Sequence, residues 1–310
     1  MDRLDVSVVV CTYNRAALLT RTVESLFAQK TEAAFEILVV DNNSSDNTPA
    51  AVASLQTQSP VTLSYIHEPR QGNAYARNTG VEQARAPIVA FIDDDVVAAD
   101  NWVNTIKSAF DRHAEWSFIG GKVLPLWDSD PPSWLTRSHW APLALLDYGD
   151  EEKEIAGRMP LGLLTANIAF RKEVFAEGAS FSAFLQRVKD SIGSMEDTEF
   201  LMRLCRGGRT GRYLPQLITW GVIEPTRLTK TYHRRWHTGN GYFYAVMKDP
   251  EWERSSFTFA GVPGHLYRET ARNAVSWLGK LITGRKDEAF VNECRLQFFR
   301  GFVRQRRKLV

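Results

Sequence analysis

Residues 87–95 read PIVAFIDDD, an apolar run that ends in three adjacent carboxylates, Asp93, Asp94 and Asp95. A short continuous run of this kind suits a strand buried on both faces, as in a parallel sheet. Three neighbouring anions repel one another and resist dehydration, so the fold must supply a cation or a ring of donors there. Working outward, VSVVV (residues 6–10), FEILVV (35–40) and LSYIH (63–67) read as further short strands. Between them, RAALLTRTVESLFAQ spaces Leu18, Leu19, Thr22, Val23, Leu26 and Phe27 at helical intervals behind Asn14, a predicted cap. DNTPAAVASL predicts a second helix with Thr48 as cap and Pro49 in its first turn, and NAYARNTGVEQA a third. Strand–helix alternation argues for an α/β fold with a parallel sheet and right-handed crossovers.

Ligands of such sheets bind beyond the carboxyl ends of the strands. The polar clusters fall there: CTYN after the first strand, DNNSSD after the second, DDD after the fourth. Their convergence predicts one cleft lined by Tyr13, Asp41, Asp46 and Asp93 to Asp95.

Composition narrows the classes. With 310 residues, 44% hydrophobic and 24% charged, the chain has ordinary globular usage, which argues against disorder and fibres. The net charge of +2 hides an asymmetry: residues 257–310 carry 11 Lys and Arg against 4 Asp and Glu, leaving 27 against 32 elsewhere. An acidic body with a basic tail speaks against nucleic acid as partner. Cys11, Cys205 and Cys294 are scattered and odd in number, which suits reduced thiols in a cytoplasmic protein, and no zinc spacing is present. The start, MDRLDVSVVV, lacks a basic leader, and no apolar run approaches the roughly 18 residues of a membrane span.

Further along, residues 124–160 hold Trp127, Trp134 and Trp140 among prolines and read as a long ordered loop; the tryptophans either wall a ligand site or plug a core. TANIAF and QLITWGVI read as strands, RKEVFAEG as a short helix, and EDTEFLMRLCRGG as a helix with acids in its first turn. Segments 228–247, 263–282 and 286–305 read as helices. TYHRRWHTGNGY (231–242) sets His233 and His237 on one helical face with Arg235 between them. Leu266, Ala271, Ala274, Val275, Leu278, Leu281 and Ile282, then Phe290, Cys294, Phe298 and Phe302, form an apolar stripe beside RGFVRQRRKLV. Such a stripe is either core or a partner contact, and with its basic neighbours it allows residues 263–310 to dock on an anionic membrane, on the cytoplasmic face.

Five segments together, VSVVVCTYNRAALLTRTVESLFAQ, EILVVDNNSSDNT, NAYARNTGVEQARAPIVAFIDDD, TANIAFRKEVF and MEDTEF, resemble in order and spacing the glycosyltransferase family 2 enzymes of GT-A fold, over residues 5–222. The resemblance implies a GT-A catalytic domain at 1–222, with a Rossmann-like nucleotide-sugar-binding half of mainly parallel sheet (1–123) and an acceptor half (124–222), followed by a helical C-terminal extension (223–310). It implies an inverting transferase that moves a sugar from a nucleotide-diphosphate donor, here a UDP-sugar, to a saccharide or lipid-linked saccharide hydroxyl, as in cell-surface polysaccharide synthesis. By the same carry-over DDD is a DXD-type motif in which Asp95, with Asp93, holds Mg²⁺ or Mn²⁺. Thr12, Tyr13, Asn14, Asp41, Arg77, Asp93 and Asp94 would then line the nucleotide site, Tyr13 stacking on the base and Asp41 accepting from it. Asp197 would be the catalytic base, with Glu196 its competitor, while Arg235 would touch the diphosphate and His233 the metal.

The chemistry suits these residue types. A hard divalent ion takes oxygen ligands and stabilises a departing diphosphate. A carboxylate opposite it can take the acceptor's proton, a contribution of about 10²- to 10⁴-fold. Two rivals were weighed. A metal-dependent nucleotidyltransferase also presents carboxylates after parallel strands, but the chain has no GxxxxGK[ST] loop. A non-catalytic nucleotide-sugar-binding subunit would have no need of an intact Asp197. Sugar and acceptor choice would rest on the loops at 124–160 and 178–194.

Overall fold

The apolar runs become strands in the expected order. In chain order the elements are β1 (Val6–Thr12), α1 (Ala16–Phe27), β2 (Phe35–Asp41), α2 (Thr48–Gln58), β3 (Thr62–His67), α3 (Asn73–Gln83), β4 (Ile88–Asp93), β5 (Val96–Ala98), α4 (Trp102–Arg112), β6 (Phe118–Trp127), β7 (Lys153–Ile155), β8 (Ile168–Arg171), α5 (Glu173–Ala176), α6 (Glu196–Arg206) and β9 (Gly211–Ile223). Then come α7 (Lys230–Met247), the hairpin β10 (Thr258–Phe259) and β11 (Val262–Pro263), α8 (Gly264–Ile282) and α9 (Lys286–Leu309). This computed structural model describes residues 3–176, 178–186, 192–193 and 195–309. Met1 and Asp2, Glu177 of the predicted short helix, residues 187–191 and 194 of the 178–194 loop, and Val310 lie outside the described residues.

Contacts divide the chain into two compact units, residues 1–126, 144–189 and 196–222, and residues 127–143, 190–195 and 223–310. Segment 127–143, which the sequence reading grouped with the catalytic domain, therefore clusters with the helices.

In the first unit β3, β2, β1 and β4 lie side by side and parallel. Beyond β4 the sheet continues through β8, β6, β9 and β5, and the β4–β8, β8–β6 and β9–β5 pairings are antiparallel. The order reverses between β1 and β4, and such a switch point opens a crevice at the carboxyl ends of the strands. Register levels the tips, Thr12 beside Asp41 and Cys11 beside Asp93. Val6, Val8, Val9 and Val10 are wholly buried, as helices on both faces of a parallel sheet require. The predicted loop 124–160 is partly strand, since β6 runs to Trp127 and β7 pairs with β9. TANIAF opens as a 3-10 turn at Thr165–Asn167 before β8. There Asn167 is buried, with Trp102 Nε1 donating to its Oδ1 at 2.8 Å and its Nδ2 donating to the carbonyls of Lys122 and Leu217 at 2.8 and 2.9 Å.

In the second unit α7 and α9 pack backbone to backbone. A Cβ on Gly241 would meet the Phe298 carbonyl oxygen at 2.0 Å, and one on Gly301 the Thr238 carbonyl oxygen at 2.0 Å. Each helix thus contributes the glycine that admits the other. Phe290, Cys294 and Phe302 of α9 are buried, whereas Ala271, Val275, Leu278, Leu281 and Ile282 of α8 are exposed. The predicted stripe is therefore two surfaces, a core face on α9 and an open face on α8. Trp134 packs with Phe290 and Cys294, the core role of the two weighed for it.

The loop from β3 to α3 is held by Glu68 and Asn42. Glu68 is 3% exposed and accepts from Arg70 N, Nε and Nη2 at 2.8 to 2.9 Å and from the Thr79 hydroxyl. Asn42 Oδ1 accepts from Gly72 N and its Nδ2 donates to the Arg70 carbonyl, both at 2.7 Å. Hydrogen bonds from Arg70, opposed by burial and aided by Thr79, hold the Glu68 carboxyl down at about 2. A depressed carboxyl contributes stability that is full above its unfolded value and lost as the pH falls through the folded one. Glu68→Gln should cost about 1–2 kcal/mol at pH 7 in denaturant titration. The gap from the parent should shrink as the pH is lowered from about 4.5 towards 2.

Candidate active site

The acid run meets two arginines. Thr12 Oγ1 donates to Asp94 Oδ2 at 2.7 Å, and Arg15 Nη1 donates to Asp94 Oδ1 at 3.2 Å and to Asp95 Oδ2 at 2.9 Å. Asp94 is buried and bound on both oxygens, which makes it the structural member of the three. Arg77 Nη2 stands 3.9 Å from Asp93 Oδ1, and the Asp93 side chain is 36% exposed. Desolvation at the crowded strand end, opposed by Arg77 and reinforced by Asp95, Asp197 and Asp94, pushes Asp93 up to about 7. Arg15 was not foreseen; the signal for it was a cation three residues past the tip of the neighbouring strand.

Arg77, on α3, reaches the other side of the pocket. Its Nη1 donates to Glu196 Oε1 at 2.8 Å and to Asp197 Oδ1 at 2.7 Å, and its Nη2 donates to Thr165 Oγ1 at 2.5 Å. Despite burial, Asp197, Glu196 and Asp93 hold the guanidinium firmly charged. Asp197 Oδ2 also accepts from Thr165 N at 3.2 Å and Oγ1 at 2.9 Å. Of the two adjacent acids in the first turn of α6, Glu196 is 1% exposed and Asp197 21%. Thr165, which the sequence reading holds only as part of the strand TANIAF, positions Asp197 from two atoms.

Other expected residues are placed differently. Asn14 does not cap α1: its φ of 54° is left-handed, and its Oδ1 accepts from Ser45 N at 2.7 Å and Asp46 N at 3.3 Å. The cap is supplied by Asp46, whose Oδ2 accepts from Ala16 N at 3.2 Å and whose Oδ1 accepts from Thr48 N at 3.0 Å and Thr48 Oγ1 at 2.6 Å. Thr48 is thus the first residue of α2 rather than its cap, and Asp46 braces two helix starts. Asp41 is buried, accepting from Ser44 N at 2.9 Å and the Tyr65 hydroxyl at 2.8 Å. It closes its own loop and orients Tyr65. Tyr13 is half-buried.

In the second unit His233 is 0% exposed, its ring edge-on to Trp134 at 5.0 Å and to His139 at 6.0 Å. Burial, then the neighbouring His139 and His237, push it down to about 4. The expected metal ligand is a core side chain, because the aromatic cluster takes its whole surface. Arg235 is exposed on α7.

Among the described residues no three His, Cys, Asp or Glu side chains converge as a ready ligand set. Asp93 and Asp95 nevertheless fit a hard divalent cation, because Mg²⁺ is often held by one or two carboxylates with phosphate and water completing its shell. A cation there would favour the charged form of Asp93, against the desolvation and the neighbouring carboxylates that raise it.

A half built on parallel strands, an acid run at its switch point and an acid on α6 that shares Arg77 with that run define the GT-A class of fold. Residues 7–178, more than half the chain, match Glycosyl transferase family 2, and the chain belongs to that family. That family is one of glycosyltransferases, which speaks against the nucleotidyltransferase reading; the chain spans 63%, 33% and 25% of the length of three curated relatives it matches. The chain is 28% identical over 203 residues to a glucosyl-dolichyl phosphate glucuronosyltransferase of Haloferax volcanii, covering 65% of this chain and 63% of that protein. It is 25% identical over 234 residues to the succinoglycan biosynthesis protein ExoM of Rhizobium meliloti, covering 72% of this chain and 68% of that one. Among solved structures, the mannosyltransferase PcManGT from Pyrobaculum calidifontis, in complex with GDP-Man and Mn²⁺, aligns over 99% of this chain and 88% of its own, with TM-score 0.62 and 17% identity. S. aureus TarS 1-349 in complex with UDP aligns over 99% and 91%, with TM-score 0.54 and 16% identity. These two show the fold.

Arg77→Ala should break the buried pairs with Glu196 and Asp197 and cost about 3–5 kcal/mol by chemical denaturation. Arg77→Lys, which cannot span three acceptors, should recover only part of that.

Proposed function

We propose that the chain is a metal-dependent, inverting transferase that moves a sugar from a UDP-sugar to a hydroxyl of a saccharide or lipid-linked saccharide, in the assembly of cell-surface polysaccharide. The observation that carries this reading is the Arg77 bridge. One guanidinium lies 3.9 Å from Asp93, on the nucleotide side, and 2.7 Å from Asp197, on the opposite side. The acceptor class is supported by the names of the relatives, one acting on a glucosyl-dolichyl phosphate and one belonging to succinoglycan biosynthesis. A nucleotide-sugar donor is supported by the neighbours that hold UDP or GDP-Man.

In this reading Asp197 is the base. Its two oxygens are anchored by Arg77 and Thr165, so the carboxylate is oriented while 21% of its surface stays open to an incoming hydroxyl. As that oxygen attacks the anomeric carbon, Asp197 takes its proton, and the bond from that carbon to the diphosphate oxygen breaks on the opposite face, which inverts the centre. Glu196 holds Arg77 from below. Tyr13 offers a face to the base, and Thr12 and Asp94 keep Arg15 in place. A divalent ion, Mg²⁺ or Mn²⁺, held by Asp95 with Asp93, would neutralise charge on the departing diphosphate.

Nucleotide release should be followed with UDP- and GDP-sugars, Mn²⁺ or Mg²⁺, and glycan or lipid-linked acceptors. Asp197→Asn should keep donor affinity by calorimetry while kcat falls about 10²- to 10⁴-fold. Asp95→Ala should remove the metal-dependent turnover. Undiminished transfer by Asp197→Asn would sink the assignment of the base, and silence of the parent with every donor would sink the reaction.

A further inference from the structure

The second unit carries two features that catalysis does not use, on opposite sides of α8. Ala271, Val275, Leu278 and Ile282 recur at i, i+4, i+7 and i+11, which places them on one side of the helix. They are exposed, Val275 by 73%, Leu278 by 52% and Ile282 by 85%. On the other side Leu266, Glu269, Thr270 and Asn273 line a cavity of about 550 Å³, which α9 closes with Arg295, Phe298 and Phe299. Arg272 and Arg295 both reach this cavity, and among the described residues neither is ion-paired with a carboxylate. Arg295 Nη1 leans only on Asn273 Oδ1, at 3.5 Å. Glu269 is the one acid in the lining.

We propose that this unit rests on an anionic phospholipid surface, the α8 stripe entering the acyl boundary and the Arg272/Arg295 cavity receiving a headgroup phosphate. The charge pattern selects this occupant. From residue 264 to 286 the chain carries Arg268, Arg272, Lys280, Arg285 and Lys286 against Glu269 alone. Arg285 is spent on Glu288, and the remaining four cations suit phosphate. A second copy of the same face would oppose cation to cation, which disfavours self-pairing. The cavity joins two guanidiniums to an apolar floor of Leu266, Phe298 and Phe299, which fits a phosphate attached to an apolar body better than a bare ion. No described helix is long and apolar enough to cross a membrane, so the contact is one of lying on the surface.

The test is flotation of the full chain with vesicles of phosphatidylcholine alone or with added phosphatidylglycerol. Binding is expected only to the anionic vesicles, weakening with salt. A Val275→Ser/Leu278→Ser/Ile282→Ser variant, altered only at exposed positions and checked for an unchanged melting temperature, should lose at least about tenfold in partition. Arg272→Gln/Arg295→Gln should lose the preference for phosphatidylglycerol. Three results would overturn the proposal. The parent fails to float, the triple variant floats as the parent does, or size-exclusion shows a dimer that the triple variant dissolves. A melting temperature raised by inorganic phosphate through Arg272 and Arg295, without flotation, would assign the cavity to a soluble phosphate and equally overturn the lipid. None of these outcomes depends on nucleotide-sugar turnover.

Discussion

One buried guanidinium organises the site. Arg77 enters from α3 and ties the first turn of α6, the 3-10 turn before β8 and the tip of β4 to a single charge. A charge that is 5% exposed is tolerable because Asp197 at 2.7 Å and Glu196, 1% exposed, at 2.8 Å sit against it. That pairing separates two adjacent acids. Glu196 is buried against the arginine, and Asp197, which holds the same guanidinium, stays 21% exposed. Neighbours in sequence thus receive different duties from burial alone.

The acid run is answered in the same manner. Arg15 takes Asp94 and Asp95, Arg77 faces Asp93, and the three carboxylates still outnumber their cations. Burial first, and then the neighbouring carboxylates, raise both Asp93, to about 7, and Asp94. A strand end so arranged can accept further positive charge and has little to offer an unaccompanied anion. The parallel sheet sets this up mechanically, because its register levels the ends of β1, β2 and β4.

Much of this was legible in the chain. Strands buried on both faces must be continuous apolar runs, so β1, β2 and β4 stood out, and the polar residues at their tips followed. What escaped were partners far apart in sequence. Asn14 has the chemistry of a helix cap, but its side chain is spent on a loop 31 residues away, and the capping oxygen comes from Asp46. Arg15 and Asp94 are 79 residues apart, and no local pattern joins them. The aromatics of α9 and the aliphatics of α8 read as one stripe because periodicity tells which side of a helix a residue occupies and not what lies beyond it. His233 shows the same limit: its spacing suits a ligand, and Trp134 and His139 make it a core residue.

Asn167 illustrates a constraint of a different kind. Its amide receives one hydrogen bond and gives two, serving α4, β6 and β9 from a single buried point. An isosteric carboxylate would still satisfy the indole but would turn two attractions towards carbonyl oxygens into repulsions. Slow hydrolysis of that amide during storage would therefore act as a structural lesion rather than a surface charge change, and the enclosure that makes the residue indispensable also keeps out the water such ageing requires.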